Sequence, residues 1–141
     1  MAKQLAYASI AAHTPTAKST ARNAKGMKII IEALPQNEVR NSQLGDWFER
    51  DGNLIIQVAG VNPFHHDEAF LVAIHELVEA KLCAKNQIPQ IEVDEFDENF
   101  TGDGEPGDEW NAPYRREHRK AMLIEHLMAD WLELAGYGEV A

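Results

Sequence analysis

The dipeptide Asp51-Gly52 stands between two strand-like runs and constrains the fold of this 141-residue chain more than any other feature. Residues 46–50 and 54–59 are rich in the aromatic and β-branched side chains that favour strands. Asp-Gly readily adopts the positive φ angles of a tight turn, so the sequence predicts a β-hairpin. Residues 27–33 form a third apolar run, which Pro35 ends. Together these runs predict a small antiparallel sheet of about three strands.

Two helices are predicted after the hairpin. Asn62 suits the N-cap of the first helix and Pro63 suits its first turn, and the helix is expected to reach about Asn86. The second helix is expected to begin near residues 111–113 and to end before Gly136, because glycine favours a C-terminal stop. Strands followed by helices predict an α+β fold, in which two long helices pack on the small sheet.

Between these helices lies a strongly acidic stretch. Residues 92–109 contain nine Asp or Glu residues and no Lys or Arg. Runs of like charge usually stay hydrated, so this stretch is predicted to be an acidic loop.

The N-terminal residues differ in composition from the rest of the chain. Residues 1–26 are rich in Ala, Ser, Thr and Lys, carry four basic residues and contain no acid. They are predicted to be a flexible basic tail, and Met27 is a candidate translation start. The remaining 115 residues, 27–141, are predicted to form a single domain with a net charge of −14, given −10 for the whole chain. This acidic balance disfavours a nucleic-acid partner, whose phosphates need a basic surface.

The compartment is predicted from what the sequence lacks. No apolar run approaches the roughly 20 residues that span a bilayer, and residues 1–26 have no apolar segment typical of a secretory signal. Cys83 is the only cysteine, so an internal disulfide is impossible. We therefore expect a cytoplasmic protein with no membrane partner.

A metal site is predicted from the first helix. His75 and Glu79 are four residues apart, which places both side chains on one helical face. That face also includes Val72 and Leu82, so it is expected to point inward. A buried carboxylate beside an imidazole is costly unless a partner satisfies its charge, and a divalent cation would do so.

The second helix offers a similar pair. His118 and Glu125 are seven residues apart, about two helical turns, and lie within a mainly apolar stripe. Two helices would then each direct one His and one Glu toward a shared interior. His75, Glu79, His118 and Glu125 are the candidate metal ligands.

The segment from His75 to Glu79 resembles the H-E-x-x-H helix of zinc metallopeptidases. By this resemblance His75 matches the first zinc ligand and Glu76 the general base, while Glu79 stands where the second His is expected. A third ligand from a second helix would correspond to Glu125 or His118. The resemblance implies a reduced zinc-peptidase-like core and zinc as the cofactor, with other divalent metals left open.

A wider stretch, from about Met27 to Leu134, is similar to small proteins encoded by phages and prophages, a family without an established activity. The residues that carry this similarity are the hairpin, the His-Glu helix, residues 93–97 and residues 112–118.

The leading hypothesis is a metal-dependent hydrolase in which Glu76 takes a proton from water that the metal has acidified. Its substrate is left open, with a peptide or protein implied by the resemblance. The alternative is a non-catalytic phage-type accessory protein, in which the same residues form a buried polar network or a structural metal site. The oligomeric state is also left open.

Overall fold

The sheet is built around the most apolar strand of the chain. The structure is a computed structural model, and it describes residues 26–60 and 62–138. Strand β1 spans Ile29–Leu34, β2 spans Gly45–Arg50 and β3 spans Asn53–Ala59. Their order is β1-β3-β2. Ile56 and Val58 of β3 are completely buried, which is consistent with the central position of this strand.

The predicted hairpin is confirmed. Strands β2 and β3 pair in antiparallel fashion, with Trp47 opposite Ile56. Asp51 and Gly52 form the turn, with φ angles of 53° and 75°.

The prediction of a wholly antiparallel sheet is wrong, because β1 pairs with β3 in parallel and the sheet is mixed. Strands β1 and β2 run in opposite directions on either side of β3, so residues 35–44 need only cross one end of β3. Backbone N–H groups of Ala59 and Gly60 donate to Leu44 and Leu34 at that end, at 2.8 and 2.9 Å. Apolar alternation determines which face of a strand is buried, and it leaves the direction of a non-local pairing open.

Three α-helices follow the sheet. Helix α1 spans Asp67–Lys85, α2 spans Gln90–Asn99 and α3 spans Arg115–Trp131. Short 3₁₀ turns occur at Gln36–Glu38, Arg40–Ser42 and Pro106–Asp108.

Helix α1 begins later than the sequence predicted. The side chain of Asn62 accepts a hydrogen bond from the backbone N–H of Phe64 at 3.1 Å, within a separate turn. Asn62 therefore caps that turn, and the helix starts at Asp67.

The acidic loop predicted for residues 92–109 is only partly a loop, since Gln90–Asn99 forms α2. Val93 is buried and Phe96 packs against the core, which gives this segment an apolar face. Asp94 on another side pairs with Arg40 at 2.8 Å. The many acidic residues obscure the apolar pattern of this short amphipathic helix, which tertiary contacts stabilise.

Helix α1 packs against both β2 and β3 and also against α3. The coarse α+β class is therefore as predicted. Within the described residues, no helix has the length and apolar character needed to cross a membrane. The predicted tail, residues 1–26, lies outside the described residues apart from Gly26.

Candidate metal centre

Three side chains from α1 and α3 meet in the interior. Nε2 of His75 lies 3.3 Å from Oε2 of Glu79 and 3.1 Å from Nδ1 of His118. The same Oε2 and Nδ1 are 2.9 Å apart. All three residues are buried, with 4–6% of their surface exposed. Two nitrogen atoms and one oxygen atom thus face one another on largely buried side chains.

The local sequence explains this convergence. His75 and Glu79 lie one turn apart on α1, so their side chains stack on one face. His118 lies in the first turn of α3, the helix that packs along α1. Small buried residues occur on both helices, Ala80 on α1 and Ala121 on α3.

Each of two ligand candidates is held on its far side by a further partner. Nδ1 of His75 lies 2.7 Å from Oε2 of Glu125, and because a carboxylate only accepts, the ring donates there. In the neutral ring, that bond leaves the lone pair of Nε2 directed toward Glu79 and His118. The indole N–H of Trp47 donates to the other oxygen of Glu79 at 2.9 Å. Tyr137 in turn donates to Glu125. Metal-binding histidines typically have such a carboxylate behind them.

Neighbouring charged groups also shift the pKa values of the three residues. Burial opposes the charged form of His75, but the carboxylates of Glu125 and Glu79 outweigh it and raise its pKa to about 10. For His118, burial is outweighed by Glu105 and Glu79, and its pKa rises to about 9. Burial would raise the pKa of Glu79, but the two histidines lower it to about 2. The site therefore favours positive charge beside the ionised carboxylate of Glu79. That charge can come from a bound cation or from protons on the two imidazole rings.

The donor set fits a divalent transition metal. Zinc binds His nitrogen and Glu oxygen at about 2.0–2.2 Å in tetrahedral geometry, which separates its ligand atoms by roughly 3.4 Å. The separations here, 2.9 to 3.3 Å, need only a slight opening. Two histidines and one glutamate are also a ligand set of catalytic zinc sites, which keep a fourth position for water.

Glu76 lies beside the three ligand candidates. It lines a pocket of about 700 Å³ together with His75, Glu79 and His118. Gly45 on β2 leaves room for its carboxylate, since a Cβ there would lie 2.7 Å from Oε1 of Glu76. Burial, followed by the negative charge of Glu79, raises the pKa of Glu76 well above its usual value. A raised pKa makes this carboxylate a stronger proton acceptor.

The structure places all five residues singled out in the sequence around one point. His75, Glu79 and His118 face one another, and Glu76 lines the adjoining pocket. Glu125 contacts the opposite nitrogen of the His75 ring, so it lies behind a ligand candidate.

Sequence reasoning missed three residues that contact this group: Trp47, Tyr137 and Glu105. Trp47 lies on a strand, where an aromatic residue signals only burial. Glu105 is one of many acids in its stretch, and nothing in the local pattern distinguishes it.

Comparison with known protein families, with curated proteins and with solved structures finds no match for this chain. The predicted similarity to phage-encoded proteins therefore stays a prediction. The function has to be inferred from the residues of the site and their geometry.

Proposed function

We propose that this protein is a metal-dependent hydrolase that binds zinc through Nε2 of His75, Oε2 of Glu79 and Nδ1 of His118. The observation that carries the proposal is the convergence of these three buried atoms within 3.3 Å of one another. The contact from Glu125 supports it, because it directs the free lone pair of His75 toward the other two groups. Glu125 is thus assigned to positioning His75.

Three protein ligands would leave a coordination position for water, which a structural zinc site normally fills with protein. A bound zinc ion would acidify that water and polarise a substrate carbonyl. Glu76 lines the same pocket and takes the proton from the attacking water. It then delivers that proton to the leaving group, a role that its raised pKa suits.

The charge of the pocket favours a cationic substrate. Its acidic lining residues include Asp46, Asp97, Glu98 and Glu105, and no Lys or Arg is among its described lining residues. Charged walls around a concave site raise the local concentration of ligands of opposite charge. A peptide with basic side chains is therefore the proposed substrate class.

We also propose that the sheet together with α1 and α3 is a reduced form of the zinc-peptidase core. The sequence from His75 to Glu79 supports this, since the helix that carries it packs against the sheet and against a second helix with a further ligand.

In the competing interpretation, the same residues form a polar network without a metal and have no catalytic role. One observation favours it. His75, Glu79 and His118 already contact one another directly, and the shifted pKa values allow both rings to hold protons beside the carboxylates. In that case the cluster would contribute to stability alone, and zinc would not affect the protein.

The paired test of catalysis is Glu76→Gln against wild type. We expect zinc content and fold to be retained and hydrolysis of a mixture of basic fluorogenic peptides to fall by about 10²- to 10⁴-fold, as for loss of a general base. Glu68→Gln, an exposed acid on the same helix, is the matched control and should leave turnover unchanged. Equal turnover in wild type and Glu76→Gln would contradict the proposed role of Glu76.

A further inference from the structure

The second ring nitrogen of His118 is buried and makes no well-formed hydrogen bond among the described residues. Nδ1 of this ring faces Glu79, whereas Nε2 points away from the site described above. Among the described residues, Nε2 has no hydrogen-bond partner, and the side chain is only 5% exposed. A buried polar atom without a hydrogen-bond partner lowers the stability of the fold by about 1–3 kcal/mol. The groups around Nε2 therefore have to offset that cost.

Two carboxylates surround that nitrogen. Oε2 of Glu105 lies 3.2 Å from Nε2, and Oδ1 of Asp108 lies 3.8 Å from it. Both belong to the segment that contains the 3₁₀ turn Pro106–Asp108. Gly107 rests directly on the ring, because a Cβ there would lie 2.4 Å from Cγ of His118. Arg115 holds the turn from outside by donating to the carbonyl of Asp108 at 3.2 Å.

The geometry also suits a cation. Nε2 lies 3.2 Å from Glu105 without the full geometry of a hydrogen bond. A metal ion instead sits off the line that joins two of its ligands, which leaves them roughly 3 Å apart. The nitrogen and the two carboxylate oxygens lie within 4.8 Å of one another, so the exposed side chains of Glu105 and Asp108 have to close in by about an ångström around an ion.

We propose a second divalent-cation site, the outer site, formed by Nε2 of His118 with the carboxylates of Glu105 and Asp108. Its mixed nitrogen and oxygen ligands suit zinc, manganese or ferrous iron. The site proposed above, the inner site, uses Nδ1 of the same ring. The outer site is more exposed, since Glu105 and Asp108 have 64% and 49% of their side chains in contact with solvent. It is therefore the weaker of the two, and it lies at the rim of the same pocket.

A neutral imidazole has one lone pair, so two cations can share the His118 ring only if it releases its remaining ring proton to solvent and becomes an imidazolate. The two ions also repel each other, so the outer site is best tested with the inner one removed. The variant His75→Gln/Glu79→Gln keeps polar side chains but loses two inner ligands. We expect it to bind one zinc ion more weakly than wild type. Adding Glu105→Gln/Asp108→Asn should lower that affinity roughly 100-fold, taking about tenfold for each ligand lost.

The control adds Glu95→Gln/Asp103→Asn to the same background. This pair removes the same charge from exposed acids outside the site, and it should leave zinc affinity unchanged. Equal affinities in the Glu105/Asp108 variant and the control would overturn the outer site, as would no zinc binding by the inner-site variant. Competition against a chromophoric chelator gives these affinities.

If the inner-site variant does not fold, zinc titration of the full chain decides. Wild type and the Glu95→Gln/Asp103→Asn variant should then bind a second, weaker equivalent of zinc that Glu105→Gln/Asp108→Asn lacks. A single equivalent in all three would overturn the proposal.

Failure of the inner site would be recognised separately. In that case His75→Gln/Glu79→Gln would bind zinc as tightly as wild type.

Discussion

His75 has a different partner at each ring nitrogen, and this asymmetry defines its role. Nδ1 donates to Glu125 at 2.7 Å, and Nε2 is directed toward Glu79 and His118. Glu79 is similarly divided, with one oxygen at the two histidines and the other accepting from Trp47. Side chains fixed from behind lose less entropy when they bind an ion, which is the advantage of a preorganised site.

The first prediction concerns the carboxylate behind His75. Glu125→Gln keeps the shape but replaces a charged acceptor with a neutral amide, so the His75 ring is held less firmly. Zinc affinity should fall about 10- to 100-fold, the usual effect of losing such a partner. The measurement is competition with a chromophoric chelator.

Asp130→Asn, at an exposed position on the same helix, is the matched control and should bind zinc as wild type does. If Glu125→Gln also bound zinc as wild type does, Glu125 would have no part in positioning His75.

At the scale of single residues, the sequence indicated which side chains converge but not the side chains that surround them. His75 and Glu79 could be paired because helical spacing is local and fixed. Glu125 was predicted as a metal ligand, whereas it contacts the far nitrogen of His75, because spacing cannot distinguish a ligand from the residue behind one. Trp47 could not be found, because its contact with Glu79 depends on how a distant strand packs against α1.

Among the secondary-structure elements, the hairpin set by the local sequence was predicted correctly, whereas the non-local pairing of β1 was not. Asp51-Gly52 specified its hairpin, since turn chemistry is contained in two residues. The parallel partner of β1 depends on a crossing over the end of β3, which no local pattern encodes. Helix α2 was hidden because its apolar face rests on Val93 and Phe96 alone among many acids.

Helix α2 is also joined to the rest of the molecule by a buried acid. Tyr114 donates to Asp97. Burial raises the pKa of Asp97 to about 6 against the lowering effect of Tyr114, with the charges of Glu79, Asp46 and Asp94 adding to the rise. The folded pKa lies above the unfolded value of about 3.9, so the folded state loses stability as pH rises between those values.

The second prediction follows from that sign. Asp97→Asn removes the charge but keeps an acceptor for Tyr114, so the variant should melt above wild type at pH 7.5. The gain should disappear by about pH 3, where Asp97 is mostly protonated in both states. Thermal melts of metal-stripped protein at the two pH values provide the measurement.

Glu95→Gln, an exposed change on the same helix, should give no such pH-dependent difference. A lower melting temperature for Asp97→Asn at pH 7.5 would show that the charged form of Asp97 stabilises the fold.

At the scale of the whole molecule, basic and acidic residues are unevenly distributed along the chain. Residues 1–26 carry only basic charge, whereas the rest of the chain is strongly acidic. The tail has few large apolar side chains, so its composition offers little to a core. Some of these acids line the pocket, where Asp46, Asp97 and Glu98 lie near the proposed ligands.

The third prediction is that residues 1–26 can be deleted without loss of the fold. Melting temperatures of the full-length and truncated proteins should agree within a few degrees, because the deleted sequence contains few large apolar side chains that could add to a core. A large decrease on truncation would show that this segment packs on the domain.

The proposed function requires that the inner site binds zinc, and one measurement tests that directly. The melting temperature of metal-stripped wild type is compared with and without zinc at about 100 times its dissociation constant. Binding to the folded state alone then adds about 2.7 kcal/mol, which corresponds to a rise on the order of 10 °C for a domain of this size. Glu79→Gln, which removes one ligand and keeps the bond to Trp47, should lose most of that rise at the same zinc concentration. A wild-type melting temperature that zinc leaves unchanged, or an equal rise in Glu79→Gln, would contradict the proposed metal centre.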